Sequence, residues 1–182
     1  LNQPLLILGA GGSGCRVATL AKASLIERFG RMPENARIVA FDSADERVTY
    51  RENRTGAMVT LEPGSEFFLL RRVPLAGIKR NLKQHPELAE RIGASNLVRI
   101  PRLSIHDGAA PERPQGLIAL AWNIKWVDQT LESALRRLVV RNEDPRHGYS
   151  QQTGVNCVVI ASTAGGQGSG ATLDLAYLLR ER

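Results

Sequence analysis

The chain is poor in cysteine and in long apolar runs, and each shortage removes a class of protein. Only two of its 182 residues are cysteines, which is too few for a disulfide framework, and neither has the spacing of a metal site. No apolar run approaches the roughly 18 residues of a transmembrane helix, and the first residues lack the charged region of a signal peptide. We therefore expect a cytoplasmic protein with reduced thiols and no membrane insertion.

Aromatic residues are also scarce, at 5% of the chain, and no basic run is interleaved with them. The formal net charge of +6 allows attraction to phosphate-bearing partners. Binding of single-stranded nucleic acid depends on aromatic stacking platforms, so the composition disfavours nucleic acid as a partner. A hydrophobic share of 43% over this length is enough for one core, and we expect one domain over residues 1–182.

Two segments share the order of buried strand, glycine-rich loop and helix. The apolar run 5–8 leads into the loop 9–14, and apolar residues then recur at helical spacing over 17–29. The apolar run 155–161 leads into the loop 162–170, after which helical spacing resumes. Another buried strand, over 38–41, ends at Asp42 and completes a strand-helix-strand crossover. The pattern predicts an α/β fold with a mainly parallel sheet.

The middle of the chain gives weaker signals apart from one long helix. Apolar residues step by three or four over 116–140, which predicts an amphipathic helix in which Trp122 and Trp126 are packing residues. A short helix is expected over 86–92, a strand over 98–100, and a polar connector over 142–154.

Both glycine loops have the chemistry of an anion site. A helix that starts directly after such a loop leaves backbone N–H groups unpaired at the positive end of its dipole, and glycine lets a phosphate approach them. The first loop satisfies GxGxxG, and Asp42 follows its last glycine by 42 − 14 = 28 residues. No GxxxxGK[ST] pattern is present, so charge compensation would come from amides, helix dipoles, a metal ion or Arg16. Both loops should open on the same edge of the sheet.

The loop 9–14, the pair Asp42 and Ser43, and the loop 164–170 together resemble the tubulin and FtsZ superfamily of GTPases, in a divergent bacterial form. The resemblance implies a three-layer Rossmann-like sandwich that binds GTP or GDP, with Mg²⁺ accompanying GTP, and a complete protein that self-associates head to tail into filaments. It carries no catalytic residue and no protein metal ligand onto this chain. It implies that nucleotide contacts come from Gly11, Gly12, Ser13, Gly14, Cys15, Arg16, Asp42, Ser43, Gly165, Gly166, Gln167, Gly168, Ser169 and Gly170.

The sequence departs from the family pattern at two loop positions and at its end. Arg16 stands where FtsZ usually has asparagine, and Gln167 stands where it has threonine. The family's γ-phosphate loop corresponds to residues 110–116, with Arg113 and Gln115 as its polar candidates. The family's base-binding asparagine and acidic catalytic loop have no counterpart here. We therefore expect a nucleotide-binding domain truncated at its C-terminal end, with negligible GTP hydrolysis by itself.

Two other functions fit parts of the sequence. A Rossmann-type NAD(P)-binding oxidoreductase domain would use the first loop and Asp42, and would leave the second loop unexplained. A tubulin-like scaffold that does not hydrolyse nucleotide would keep the fold for assembly alone.

Overall fold

The structure is a computed structural model that describes residues 3–93, 113–142 and 154–182. Its strands are β1 (Leu5–Ala10), β2 (Ala36–Asp42), β3 (Tyr50–Arg51), β4 (Met58–Val59), β5 (Phe67–Leu69) and β6 (Asn156–Ala161). Four of them form a parallel sheet in the order β5-β2-β1-β6, and β3 pairs with β4 as a separate antiparallel ribbon.

Five α-helices lie in the described part of the chain. They are α1 (Gly11–Phe29), α2 (Leu75–Arg80), α3 (Pro86–Ile92), α4 (Arg113–Asn142) and α5 (Gly166–Arg180), with a 3-10 helix at Leu82–Gln84. The short helix α3 has its predicted bounds, and α4 is the predicted long helix with one more turn at its start. The predicted strand over 98–100 and all but the two ends of the predicted connector over 142–154 fall outside the described residues.

Side chains alternate along the strands, so apolar residues lie on both faces of the sheet and helices cover each face. Leu6 and Leu8 of β1 belong to a buried cluster with residues of α4 and α5, whereas Ile7 belongs to a second cluster with Cys15 and Ala18 of α1. The result is a three-layer α/β/α sandwich of the Rossmann-like type with a parallel sheet, and the predicted fold class is confirmed.

The last strand differs from its prediction. The run 155–161 indicated a strand buried on both faces, but Asn156, Cys157 and Val158 are exposed, and Val158 retains 46% of its accessible surface. Among the described residues β6 has a strand neighbour on one side only, β1, so it forms an edge of the sheet that these residues make. Apolar composition predicted the strand correctly, and its place in the sheet decided its burial.

Aromatic and amide contacts attach α4 to β2, to β5 and to the chain that follows β5. The rings of Phe41 and Phe68 lie 5.6 Å apart, and Trp126 meets both edge-on at 6.3 and 5.8 Å, which confirms Trp126 as a packing residue. Asn123, buried on α4, accepts a hydrogen bond from the Arg71 backbone N–H at 3.0 Å and donates to the Arg71 carbonyl at 3.2 Å. These contacts fix the chain where it leaves β5.

The residues that the structure describes include two long helices, α1 and α4. None of their helices is both long enough and apolar enough to cross a bilayer.

Candidate functional site

The two glycine loops lie side by side at one edge of the sheet. β1 and β6 are parallel neighbours with Ala10 opposite Ala161, so the helices that follow them begin next to each other. β1 connects onward to β2 on one side, while β6 lies on the other. This is the topological switch point of an open parallel sheet, where ligands bind in such folds. Both loops therefore open on the same edge, as predicted.

The loops touch through their backbones, and this contact requires glycine. Gly11 has a positive φ of 71°, which favours glycine, and a Cβ atom placed on it would lie 2.7 Å from the backbone nitrogen of Gly168. A Cβ atom on Gly168 would in turn lie 2.9 Å from the carbonyl oxygen of Ala10. Any larger residue at either position would push the loops apart.

Each helix begins earlier than its glycine loop suggested. The sequence placed the loops at 9–14 and 162–170, whereas α1 starts at Gly11 and α5 at Gly166. The residues before them, Ala10 and Gly165, have extended backbone conformations and provide no side-chain cap. The first-turn N–H groups of both helices are therefore available to a ligand, at the positive ends of two dipoles.

A cavity of about 400 Å³ lies between these helix starts. Nine residues of the predicted site line it: Gly11, Gly12, Ser13, Arg16, Asp42, Gly165, Gly166, Gln167 and Gly168. Four lining residues were not in the predicted set: Ala10, Ala44, Glu46 and Ser162. Glu46 could have been found from its position one short turn after Asp42 in the loop that follows β2.

Five residues of the predicted site do not line the cavity: Gly14, Cys15, Ser43, Ser169 and Gly170. A Cβ atom on Gly14 would collide with the Ile160 carbonyl, and one on Gly170 would collide with the start of α4. Gly14 and Gly170 therefore let α1 and α5 pack closely against their neighbours. Ser43 is buried beside the cavity, and its hydroxyl has no hydrogen-bond partner among the described residues.

The hydroxyl groups of Ser169 and Thr172 are engaged within α5. Ser169 donates to the Gly166 carbonyl at 3.3 Å, and Thr172 donates to the Gly168 carbonyl at 2.5 Å. Backbone N–H groups, rather than these hydroxyls, are the donors that α5 offers.

Cys15 sits in the first turns of α1 but is not a reactive thiol. It is 4% exposed, belongs to the cluster between α1 and the sheet, and directs its Sγ towards the Phe41 carbonyl at 3.9 Å. Burial, and then the nearby Asp42 carboxylate, raise the pKa of Cys15 to about 12. A helix N-terminus lowers a thiol pKa only where the thiolate can be solvated, and here desolvation dominates.

The charges that line the cavity are two carboxylates and one guanidinium. Asp42 is 5% exposed, and its Oδ1 accepts a hydrogen bond from the Ser43 backbone N–H at 2.7 Å. Burial raises the pKa of Asp42 to about 6, against the opposing effect of backbone hydrogen bonds from Ser43 and Ala44. Arg16 is exposed, and among the described residues it forms no ion pair. It is the only cation among the cavity-lining residues described.

The start of α4 is packed directly on the start of α5. A Cβ atom on Gly116 would collide with the Gly166 carbonyl and lie 2.7 Å from the Gln167 Cα. Neither Arg113 nor Gln115, the polar candidates for the γ-phosphate loop, lines the cavity, and residues 110–112 are outside the described ranges.

The fold and the two-loop cavity agree with a comparison against protein families. A family model described as tubulin like matches residues 6–182, which is nearly the whole chain. The chain belongs to the tubulin-like family. Comparison of this tubulin-like chain with curated proteins and with solved structures found no match. The resemblance read from the two glycine loops and Asp42 is thereby confirmed at the level of the family.

Proposed function

We propose that residues 1–182 form a nucleotide-binding domain that holds GTP or GDP in the cavity between the two glycine loops. The observation that carries this proposal is the convergence of two uncapped helix N-termini, α1 and α5, on one cavity at the switch point of the sheet. The tubulin-like family supports a guanine nucleotide over other phosphate-bearing ligands. A volume of about 400 Å³ is within the range of small-molecule sites.

The phosphates would be bound mainly by backbone groups. First-turn N–H groups donate to phosphoryl oxygens, and the two helix dipoles favour negative charge at this place. Arg16 would supply the side-chain cation that a lysine provides in proteins with the GxxxxGK[ST] pattern. The same amides would stabilise the charge that develops on the phosphoryl oxygens when water attacks the terminal phosphate in the complete protein.

Mg²⁺ fits this arrangement as a partner of the nucleotide. The described residues contain no group of three or more His, Cys, Asp or Glu side chains that could hold a metal ion. Mg²⁺ usually keeps several waters and binds through phosphate oxygens and one or two carboxylates. Asp42 and Glu46 supply carboxylates at the cavity. The ion would add charge compensation for the phosphates.

Head-to-tail assembly of the complete protein is the second part of the proposal. The tubulin-like family supports self-association. A contact that repeats without closing produces a filament, in which each subunit presents a surface to the nucleotide cavity of its neighbour. Sedimentation of the complete protein with GTP and with GDP tests this part, and equal pelleting in the two nucleotides would contradict nucleotide-dependent assembly.

Calorimetric titration of the chain with GTP, GDP and NAD⁺ tests the binding proposal. We expect saturable binding of GTP and GDP and none of NAD⁺, because the second loop adds phosphate donors that a dinucleotide fold lacks. Binding of NAD⁺ without guanine nucleotides would overturn the proposal in favour of an oxidoreductase domain.

A variant that fills the cavity sharpens the same experiment. Gly12 lines the cavity, and a Cβ atom on it would meet only Asp42, at an ordinary contact distance of 3.6 Å. Gly12→Leu should therefore fold and lose nucleotide binding. Gly77→Leu is the matched control, because a Cβ atom on Gly77 in α2 meets nothing within 4 Å and Gly77 is not a lining residue. Equal affinity of both variants for GTP would contradict the assignment of the cavity.

A further inference from the structure

A second cavity, of about 420 Å³, lies between the first half of β2 and α4. The rings of Phe68 and Trp126, 5.8 Å apart, form an apolar wall, and Arg37 and Arg137 are among its polar lining residues. It shares no lining residue with the cavity between the glycine loops. The proposed nucleotide site therefore gives this second cavity no role, although its size is within the range of ligand sites.

This cavity exists because β5 joins the sheet late. β5 pairs with β2 only from Ala40 to Asp42, although β2 starts at Ala36. A tight turn before β5 holds the chain away from the start of β2, and in it Gly64 has a positive φ of 74° and donates to the Phe67 carbonyl at 2.9 Å. Among the described residues, the first four residues of β2 therefore have no strand beside them on this side.

The backbone of Ile38 faces the cavity. Ala40 donates to the Glu66 carbonyl at 2.7 Å, and the Asp42 carbonyl accepts from Leu70 at 2.7 Å. Even-numbered residues of β2 therefore direct their backbone groups towards the side of β5. Ile38 follows this alternation, and it lines the cavity although its side chain packs towards α1 on the opposite face of the sheet. On this side its N–H and C=O have no hydrogen-bond partner among the described residues, and such an edge is a template for an added strand.

The side chains along the edge define the chemistry of that strand. Arg37 and Val39 both line the cavity from β2, and a strand beside them would place every second side chain on the same face. Arg137 of α4 lines the same cavity, whereas no described lining residue carries a carboxylate. A side chain next to Arg37 should therefore be acidic, and the next one on that face meets Val39 and the ring of Phe68. The complementary strand has an acidic residue two positions from an apolar one.

We propose that this cavity binds an extended acidic segment of a partner protein, which pairs with the Ile38 backbone as an additional strand beside β2. Strand addition at a sheet edge draws affinity from main-chain hydrogen bonds and specificity from pockets for alternate side chains. Here the guanidinium groups of Arg37 and Arg137 take the acidic side chain, and the rings of Phe68 and Trp126 take the apolar one. The proposal does not depend on nucleotide binding, because the two cavities have no lining residue in common.

A fluorescence titration with a synthetic peptide tests the proposal. The sequence contains two tryptophans, so Trp122→Phe leaves Trp126, at the cavity, as the only one. The probe is acetyl-Thr-Val-Thr-Asp-Thr-Val-Thr-amide, which has an apolar residue two positions from its aspartate in both chain directions. We expect a saturable change in Trp126 emission. The absence of a saturable change up to millimolar peptide would overturn the proposal.

Two altered peptides separate charge from strand pairing. Lysine in place of the aspartate should weaken binding about 3- to 10-fold, because it replaces attraction to the arginines by repulsion. Methylation of the backbone nitrogens should weaken binding about tenfold or more, because it removes the N–H groups that pair with the edge. Equal affinity of either altered peptide would overturn the proposal. Equal affinity of free succinate would do so in favour of a simple anion site.

A pair of protein variants tests the same charge contact from the other side. Arg137→Gln should weaken binding of the probe about 2- to 5-fold. Arg136→Gln is the matched control, because Arg136 is the preceding exposed residue of α4, pairs with Glu132 at 2.5 Å and does not line the cavity. An equal loss in both variants would indicate a general effect of net charge and would overturn the proposal.

Amide hydrogen exchange followed by NMR locates the bound strand. Saturating probe should slow exchange of the Ile38 N–H several-fold, because that group becomes hydrogen-bonded. The Val39 N–H is the internal control, since by the same alternation it faces β1 and should exchange at an unchanged rate. Unchanged exchange at Ile38 in a chain that binds the probe would overturn strand addition at this edge.

Discussion

Gly116 is where the packing of α4 on α5 can be tested most directly. A Cβ atom added there would overlap the Gly166 carbonyl and lie 2.7 Å from both the Gly166 carbonyl carbon and the Gln167 Cα. Ordinary contact begins at 3.4 Å, so Gly116→Ala requires the two helix starts to separate by about 0.7 Å to clear these two carbon atoms, and by more to clear the carbonyl oxygen. The atoms in the way belong to backbone, which cannot rotate aside.

The expected cost exceeds the gain that alanine normally brings. Inside a helix, alanine is more stable than glycine by about 1 kcal/mol, whereas overpacking of this kind costs about 1–3 kcal/mol and occasionally more. With three atoms of the neighbouring helix inside contact distance, we expect a net loss of about 2 kcal/mol, or roughly 4–8 °C in the thermal midpoint. Affinity for GTP should also fall, because the displaced backbone includes Gln167.

Gly77→Ala is the matched control for thermal unfolding followed by circular dichroism. Gly77 is also inside a helix, and a Cβ atom on it meets nothing within 4 Å, so alanine should raise the midpoint there. The two substitutions are chemically identical and should act in opposite directions. A midpoint for Gly116→Ala at or above that of the unaltered chain would refute the packing argument.

Three further predictions concern the charged and thiol groups near the cavity. Arg16→Ala should weaken GTP binding about tenfold in calorimetry and reduce its salt dependence, whereas Arg28→Ala on the same helix should change neither. Asp42→Asn should raise the thermal midpoint at pH 8. That advantage should disappear towards pH 4. The pKa of Asp42 is about 6 in the folded protein against an ordinary 3.8, so the free-energy penalty for burying its charge is absent at low pH and complete above pH 6. An advantage that persists at pH 4 would contradict burial as its cause. At pH 8, iodoacetamide should modify exposed Cys157 and leave Cys15 intact, because burial raises the pKa of Cys15 to about 12. Detection by mass spectrometry of an alkylated Cys15 peptide, after treatment of the folded protein, would contradict this.

Local pattern was sufficient for the elements around the site. The apolar runs before each glycine loop predicted β1 and β6, and the spacing of apolar residues predicted α1, α3, α4 and α5. These signals are local, because strand and helix periodicities depend on residues within one or two turns. The strands β3, β4 and β5 and the helix α2 were not predicted, since they are short and owe their form to contacts elsewhere. β5, for example, pairs over three residues with the end of β2.

The family and the general place of the site were also readable from the sequence. Glycine spacing and Asp42 indicated the tubulin-like family, and the parallel-sheet rule put both loops on one edge. Nine of the predicted residues line the cavity, and two of them, Gly11 and Gly168, are glycines at which the backbones of the two loops touch.

Side-chain direction at the site was decided only by the tertiary structure. Cys15 and Arg16 are adjacent in sequence, yet the rotation of α1 buries the thiol against the sheet and leaves the guanidinium at the cavity. Ser169 and Gln167 belong to one loop, yet the Ser169 hydroxyl bonds to its own helix while the Gln167 amide is buried without a hydrogen-bond partner among the described residues. The sequence by itself determined which segments become strands, loops and helices, because those depend on neighbouring residues. Burial and pairing depend on which elements meet, and only the packed structure decides that.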